Sequence, residues 1–257
     1  MHDLLVLCYH AVSPTWPAQL SVTPDALTAQ AAELARRGYV GARFSDAVAG
    51  EVGGDRVVVF SFDDNYRSVL ELAKPILDRH GFPGTLYVPS DWPGQRRPMR
   101  WNGIDGWLGG EHEQELLSLD WRELRELAQA GWEIGSHTCS HPRLPELDEA
   151  ALARELSGSK QTIERELGRP CRSIAYPYGA VDSRVEQAAA RAGYECAGTI
   201  PRVLSKPTPL LWPRVPIFHK DDTRRFKLKV SPAVRRARAS AAGALFDGAR
   251  VKLSKSG

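Results

Sequence analysis

The chain predicts an α/β fold of parallel strand–helix units, and three features of its sequence lead there. Apolar, β-branched runs alternate with helical stretches along most of its 257 residues. The stretch RVVVFSFDDN, residues 56–65, stays hydrophobic from Val57 to Phe62 without alternating, as a strand buried on both faces does. It then ends abruptly in two carboxylates, Asp63 and Asp64. Polar clusters also follow other predicted strands, and the carboxyl ends of strands are where α/β folds bind ligands and metals. Such units close into a barrel or lie in an open sheet. Taken alone, either aspartate could serve only as the cap of the following helix.

The elements follow in order. Met1 to His10 carries a short apolar run with no basic leader and no A-x-A site, which reads as a first strand and not as a signal peptide. Thr23 is an N-cap, Pro24 suits the first helical position, and a helix over 26–37 is closed by Gly38. Residues 39–44 form a short strand. After Asp63-Asp64 comes a helix over 66–80, stopped by Gly81, and then a strand over 84–88. Residues 89–119 make a connection long enough to be a functional loop or to hold short inserted helices, with Trp92, Trp101 and Trp107 in it. Asp120 caps a helix over 121–130, and a strand over 132–136 precedes His137. Asp148 caps a helix to 167, residues 173–176 are a strand, and 182–192 are a helix. Residues 195–199 and 214–218 are the last strands. No internal repeat is visible.

Composition is that of an ordinary globular chain, and no apolar stretch is long enough to span a bilayer. Cys8, Cys139, Cys171 and Cys196 are scattered without a C-x-x-C pair, which suggests reduced core residues. The net charge of +3 hides an asymmetry. From residue 223 onward, Arg224, Arg225, Lys227, Lys229, Arg235, Arg236, Arg238, Arg250, Lys252 and Lys255 face a single acid, Asp247, so the body before them is net acidic. The expected organisation is a domain over 1–222 and a basic tail over 223–257, either partly disordered or resting on anionic lipid headgroups. Nucleic acid is not expected, since the charge is confined to one end.

Three polar clusters carry the chemistry: Asp63-Asp64, His137-x-x-x-His141, and Tyr176-Pro177-Tyr178-Gly179. A fourth, Tyr9-His10, ends the first strand. If the strands run parallel, all four converge on one rim. Two histidines four apart can share a metal, although such a pair is often incidental. A carboxylate from another strand end completes a His₂-carboxylate set, which leaves positions open for water and substrate as hydrolytic sites do. Of two adjacent aspartates, one can ligate while the other acts as base.

The ordered motifs Ser61-Phe62-Asp63-Asp64, His137-Thr138-Cys139-Ser140-His141-Pro142 and Ala175-Tyr176-Pro177-Tyr178-Gly179 resemble those of the polysaccharide deacetylase (NodB-homology) family. The likeness spans roughly residues 4 to 220. It implies a distorted (β/α) barrel and metal-dependent removal of acetyl groups from glycans. By matching position, Asp64, His137 and His141 would hold a divalent metal, zinc in the first place, with nickel, cobalt or another transition metal as alternatives. Asp63 would be the general base, and the backbone N–H of Tyr178 would help to stabilise the oxyanion.

The sequence departs from the family pattern at two points. The third motif usually begins with an arginine that contacts the catalytic aspartate, and here that position is Ala175. This resembles the A-Y-P-Y-G branch, which includes deacetylases of poly-N-acetylglucosamine. Arg214 is set down as a substrate-side residue on the rim that could also restore the missing charge, the alternative being a surface salt bridge. The family's general-acid histidine normally comes late, where Ile217-Phe218-His219 is the literal candidate. The branch that the chain resembles points instead to the first strand, and His10 at its end is preferred over His219. The plainer reading of His10 is a hydrogen-bonded interior residue.

Trp101 or Trp92 could stack on a sugar ring or fill the barrel's outer layer; Trp121 and Trp132 are packing residues. The expectation is therefore a metal-dependent N-deacetylase of an acetylated sugar or glycan, cytoplasmic or peripheral at the membrane. A cyclic-amide hydrolase on the same barrel and a non-catalytic glycan-binding relative are the rival readings.

Overall fold

The computed structural model describes residues 3–200 and 207–239. In chain order the strands are β1 (Asp3–Tyr9), β2 (Ala11–Val12), β3 (Ser21–Val22), β4 (Val40–Gly41), β5 (Arg56–Phe62), β6 (Gly84–Val88), β7 (Glu133–Ser136), β8 (Ser173–Ala175), β9 (Cys196–Thr199), β10 (Trp212–Pro213) and β11 (Val215–Pro216). The helices are α1 (Pro24–Arg36), α2 (Phe44–Ala49), α3 (Lys74–Asp78), α4 (Trp121–Gln129), α5 (Glu149–Ala153), α6 (Ser159–Leu167), α7 (Ser183–Arg191), α8 (Thr223–Lys229) and α9 (Pro232–Ala239). The main sheet runs β10-β9-β8-β7-β6-β5-β1-β11, with β4 beside β5, and its ladders are parallel. β10 pairs with β9 and β11 with β1, so one bent passage of chain joins the two edges and brings the sheet nearly to a closed barrel. Arg214 is the residue at that bend.

Alternation along the strands sorts their side chains into two groups. Leu5, Leu7, Val58, Phe60, Phe62, Leu86 and Val88 pack in the large cluster with Leu27 and Leu34 of α1, Leu77 of α3 and Leu127 of α4. Their neighbours Val6, Val57, Val59, Tyr87, Ala175 and Cys196 form a smaller cluster with Phe44, on the barrel's inner side. Cys8, Ser61 and Asp63 share the inward parity of Val6 and Val59, so the interior turns polar toward the carboxyl ends of the strands. All four cysteines are free thiols.

Several elements differ from expectation. The strand expected over 39–44 is only β4, because Phe44 opens α2, whose first N–H groups are taken by Thr85 Oγ1 and Glu133 Oε2. The helix expected over 66–80 is broken into a π turn (Val69–Ala73) and α3. Pro75 has no N–H to give the preceding turn, which widens instead. The strand expected over 214–218 is the split pair β10 and β11. Sequence patterning also missed β2 and β3, which pair with each other between β1 and α1. The boundary expected at 222 falls at the N-cap of α8. Phe226 and Val230 are buried, and Arg235 reaches Asp3 at the start of β1. The tail from 240 onward lies outside the described residues.

Candidate active site

The loops after β5, β7 and β8 meet at one end of the barrel, as the parallel register requires. All five non-glycine residues with positive φ among the described residues lie in these loops: Asp64 (73°), Asn65 (64°), Thr138 (68°), His141 (67°) and Tyr178 (59°). Such conformations cost roughly 1–3 kcal/mol each and persist where the surroundings hold them. Here the holding contacts are visible. Thr138 Oγ1 accepts the His141 N–H at 3.1 Å, and Glu155 Oε2 accepts those of Cys139 and Ser140 at 2.8 and 3.0 Å. Glu155 stands in a π turn (Arg154–Gly158) between α5 and α6. Asn65 does not cap a helix; its side-chain amide donates to Leu119 O and its carbonyl accepts the Leu119 N–H.

Asp64 Oδ1 lies 3.4 Å from His137 Nε2 and 3.2 Å from His141 Nε2, and all three side chains are buried. His137 Nδ1 is 2.7 Å from the Ala175 carbonyl. A carbonyl only accepts, so Nδ1 carries the proton and the neutral ring presents Nε2 as a bare lone pair. That lone pair faces a carboxylate oxygen with no hydrogen-bond donor of its own. Two imidazole Nε2 atoms and a carboxylate oxygen converge in a buried place, and such a two-imidazole, one-carboxylate set suits a borderline divalent metal such as zinc. Burial depresses the pKa of His141, whereas for His137 the carboxylates of Asp63 and Asp64 outweigh burial and raise it. Burial alone would raise Asp64, but the two histidines, when protonated toward it, hold it well below the usual carboxylate range.

Asp63 is held differently. Arg214 Nη1 donates to Oδ1 at 2.7 Å and Nη2 to Oδ2 at 2.8 Å, a two-pronged pair wholly inside the protein. Cys8 Sγ also donates to Oδ2, at 3.4 Å, and Arg214 Nη1 to Ser61 Oγ, at 3.2 Å. Arg214 is therefore not a surface ion pair: it is 1% exposed, lies behind Asp63 and is not among the residues lining the cavity. Its seat exists because residue 198, in register with Ala175, is glycine. A Cβ there would sit 2.7 Å from Arg214 Cδ and Nε. The guanidinium also lies 5.3 Å from the centre of the Tyr87 ring, which itself fills the space left by Gly135.

His10 lines the same cavity, with a ring nitrogen within 4.8 Å of ligand atoms of Asp63 and Cys8 and a buried Nδ1 without a partner. That trio is no second metal seat, because Arg214 already neutralises both Asp63 oxygens. His219 is exposed, its ring toward Ser21 O at 3.3 Å, and is not part of the cavity wall. Tyr178 lines the cavity, its ring 4.7 Å from that of His141 and its hydroxyl donating to Asn102 O at 3.1 Å. Trp101 stacks on His141 at 4.4 Å between centroids and 23° between planes, with Trp92 edge-on behind it, outside the cavity wall. Trp132 is buried against Phe62. The cavity, about 600 Å³, has a further wall that sequence reading did not find, supplied by residues 16–20 and Phe218. Tyr66 is also buried at the site, its phenol pushed up by burial and by Asp64.

A model of the polysaccharide deacetylase family matches residues 50–197. The chain belongs to that family. Among curated deacetylases, the poly-beta-1,6-N-acetyl-D-glucosamine N-deacetylase of Staphylococcus aureus is 27% identical over 133 residues, 48% of this chain and 41% of the relative. The chain thus spans less than half the length of the curated relatives it matches. Two solved deacetylases share its fold. The Streptococcus pyogenes deacetylase PplD, in complex with acetate, superposes with a TM-score of 0.74 at 22% identity, covering 90% of this chain and 99% of that one. A de-N-acetylase from Aggregatibacter actinomycetemcomitans gives 0.72 at 21% identity, covering 88% and 99%.

Proposed function

We propose that this chain is a metal-dependent deacetylase that hydrolyses the acetamide of an N-acetylated sugar to acetate and a free amine. One observation carries the reading: in a single cavity Asp64 Oδ1 meets two imidazole Nε2 atoms, while the adjacent Asp63 is withheld from them by Arg214. Asp64, His137 and His141 would hold the cation. Bound there, it supplies a Lewis acid that polarises the acetyl carbonyl and eases deprotonation of water.

The chain's own residues supply the rest. Asp63, ionised and fixed by Arg214, accepts the proton of the attacking water. The backbone N–H of Tyr178, on a left-handed turn beside His141, is the donor offered to the developing oxyanion. His10, which lines the same cavity near Asp63 and has an unpartnered ring nitrogen, gives a proton to the departing amine. Trp101 fixes the His141 ring by stacking and shields it from water. The complete set of ligands and base favours this reading over a glycan-binding relative or a metal-free amide hydrolase.

The test is acetate release from N-acetylated sugars, glycolipids and nucleotide sugars by zinc-loaded protein, with and without chelator. Asp63→Asn should lower kcat by at least about 10²-fold, the scale of a lost general base, with one zinc still bound per chain by elemental analysis. Acetate release unaffected by chelator, or by the Asp63 substitution, would sink the mechanism.

A further inference from the structure

We propose that the substrate is a small N-acetylated glycoside bearing a hydrocarbon aglycone, and not an internal unit of a long glycan; this rests on the deacetylase reading above. The polar groups of the cavity converge at one end, where Asp63, Asp64, His10, His137 and His141 are occupied by the chemistry. Among the described residues the rest of the wall is mainly apolar, with Leu20, Trp101, Trp107, Ile200 and Phe218, and its polar side-chain groups are Gln19, Asn102, the Tyr178 hydroxyl and the indole N–H groups. Each sugar hydroxyl that leaves water without gaining a partner costs about 1–3 kcal/mol. These few groups, with the Tyr178 hydroxyl already donating to Asn102 O, can serve the ring that carries the acetamide, but not a second and third ring. Hydrocarbon on the same wall gains about 25 cal/mol for each Å² buried.

The enclosure points the same way. The stretch carrying Trp101 to Trp107 is fastened on both sides. On one, Trp107 meets Trp16 edge-on at 5.7 Å, and nearby Ser13 Oγ donates to Glu115 at 2.5 Å. On the other, the Tyr178 hydroxyl holds Asn102 O. A polymer threading past the centre needs a groove open at both ends; these fastenings hold the stretch 101–107 as a fixed wall on one side. The volume of the cavity, about 600 Å³, lies within the roughly 300–1,000 Å³ of pockets that take a whole small molecule.

The experiment compares kcat/KM for acetate release from N-acetylglucosamine, its n-hexyl β-glycoside and a β-1,6-linked tetramer of N-acetylglucosamine, using zinc-loaded protein. The hexyl glycoside should exceed both others by at least about tenfold, equivalent to about 1.4 kcal/mol and less than the burial of two methylenes. In Leu20→Ser/Phe218→Ser the ratio of hexyl glycoside to free sugar should fall toward one. Equal values for hexyl glycoside and free sugar, or a higher value for the tetramer, overturn the proposal. If none of the three releases acetate, the deacetylase reading falls, and tryptophan fluorescence titration of the same protein still decides the ligand class. Saturable binding of the hexyl glycoside, tighter than that of the tetramer, supports a hydrocarbon site; equal or weaker binding overturns it.

Discussion

Burial by itself would raise the pH at which the Asp63 carboxyl takes a proton, yet the Arg214 guanidinium across both oxygens, with His137 and His10 nearby, brings its pKa down to about 2. Arg214 thus favours the ionised form of Asp63, the proposed base, and fixes where its lone pairs point. Replacing it by methionine removes the largest lowering influence and leaves burial in place, so the Asp63 pKa should rise. The acid limb of the kcat/KM profile should then move to higher pH in Arg214→Met, with Arg214→Lys in between because it keeps the charge and loses the fork. Truncating one member of a buried pair also costs about 3–5 kcal/mol of stability. The profile separates the two effects: a merely unstable variant loses amplitude at every pH, whereas loss of Asp63 tuning displaces the limb. An undisplaced limb would remove Arg214 from this role.

At the scale of elements, the π turn between α5 and α6 has a consequence for the proposed metal ligands. It brings Glu155 to the histidine loop, where Oε2 takes two backbone N–H groups and Oε1 accepts the Ser140 hydroxyl at 2.7 Å. Glu155 touches neither ligand ring, so it is a positioning residue for the strained His141. Glu155→Ala should weaken zinc binding by about 10- to 100-fold, the usual effect of losing an outer support, as read by competition with a chromophoric chelator. Unchanged affinity would show that Thr138 alone holds the loop. This element also marks the limit of sequence reading. Asp63, Asp64, His137 and His141 were legible because each cluster directly follows an apolar run, so local pattern alone places it at a strand end. Glu155 was not, since its helix reads as an uninterrupted amphipathic stretch and a π turn has no compositional mark. The seat of Arg214 was hidden for another reason. It depends on Gly198 being opposite Ala175 and on β10 and β11 pairing with different strands, and both are facts of register between distant segments. The cavity wall at Leu20 escaped notice because residues 11–22 show neither helical nor strand periodicity over any useful length.

At the scale of the molecule, the proposed metal seat and the nearly closed barrel depend on each other. Asp64 follows β5 and the histidines follow β7, with β6 between them, and the Ala175 carbonyl that orients His137 ends β8. Asp63, the proposed base, belongs to the same circuit, since Arg214 reaches it from the bend that links β9 to β1. An unfolded chain places none of these groups together, so a cation that binds the native state should stabilise the whole fold by mass action. At zinc about 100-fold above Kd the gain is about 2.7 kcal/mol. For a domain of this size, ~2–4 °C per kcal/mol converts that to a Tm rise on the order of 5–10 °C. The rise should be retained in Asp63→Asn, which leaves the three ligands intact, and lost in His141→Ala, which removes one and exposes Asp64 to an incomplete set. Differential scanning calorimetry of metal-stripped protein with added zinc makes the comparison. A wild-type Tm that does not respond to zinc, in protein that still releases acetate, would mean that Asp64, His137 and His141 do not bind the ion and that the reaction proceeds by another route.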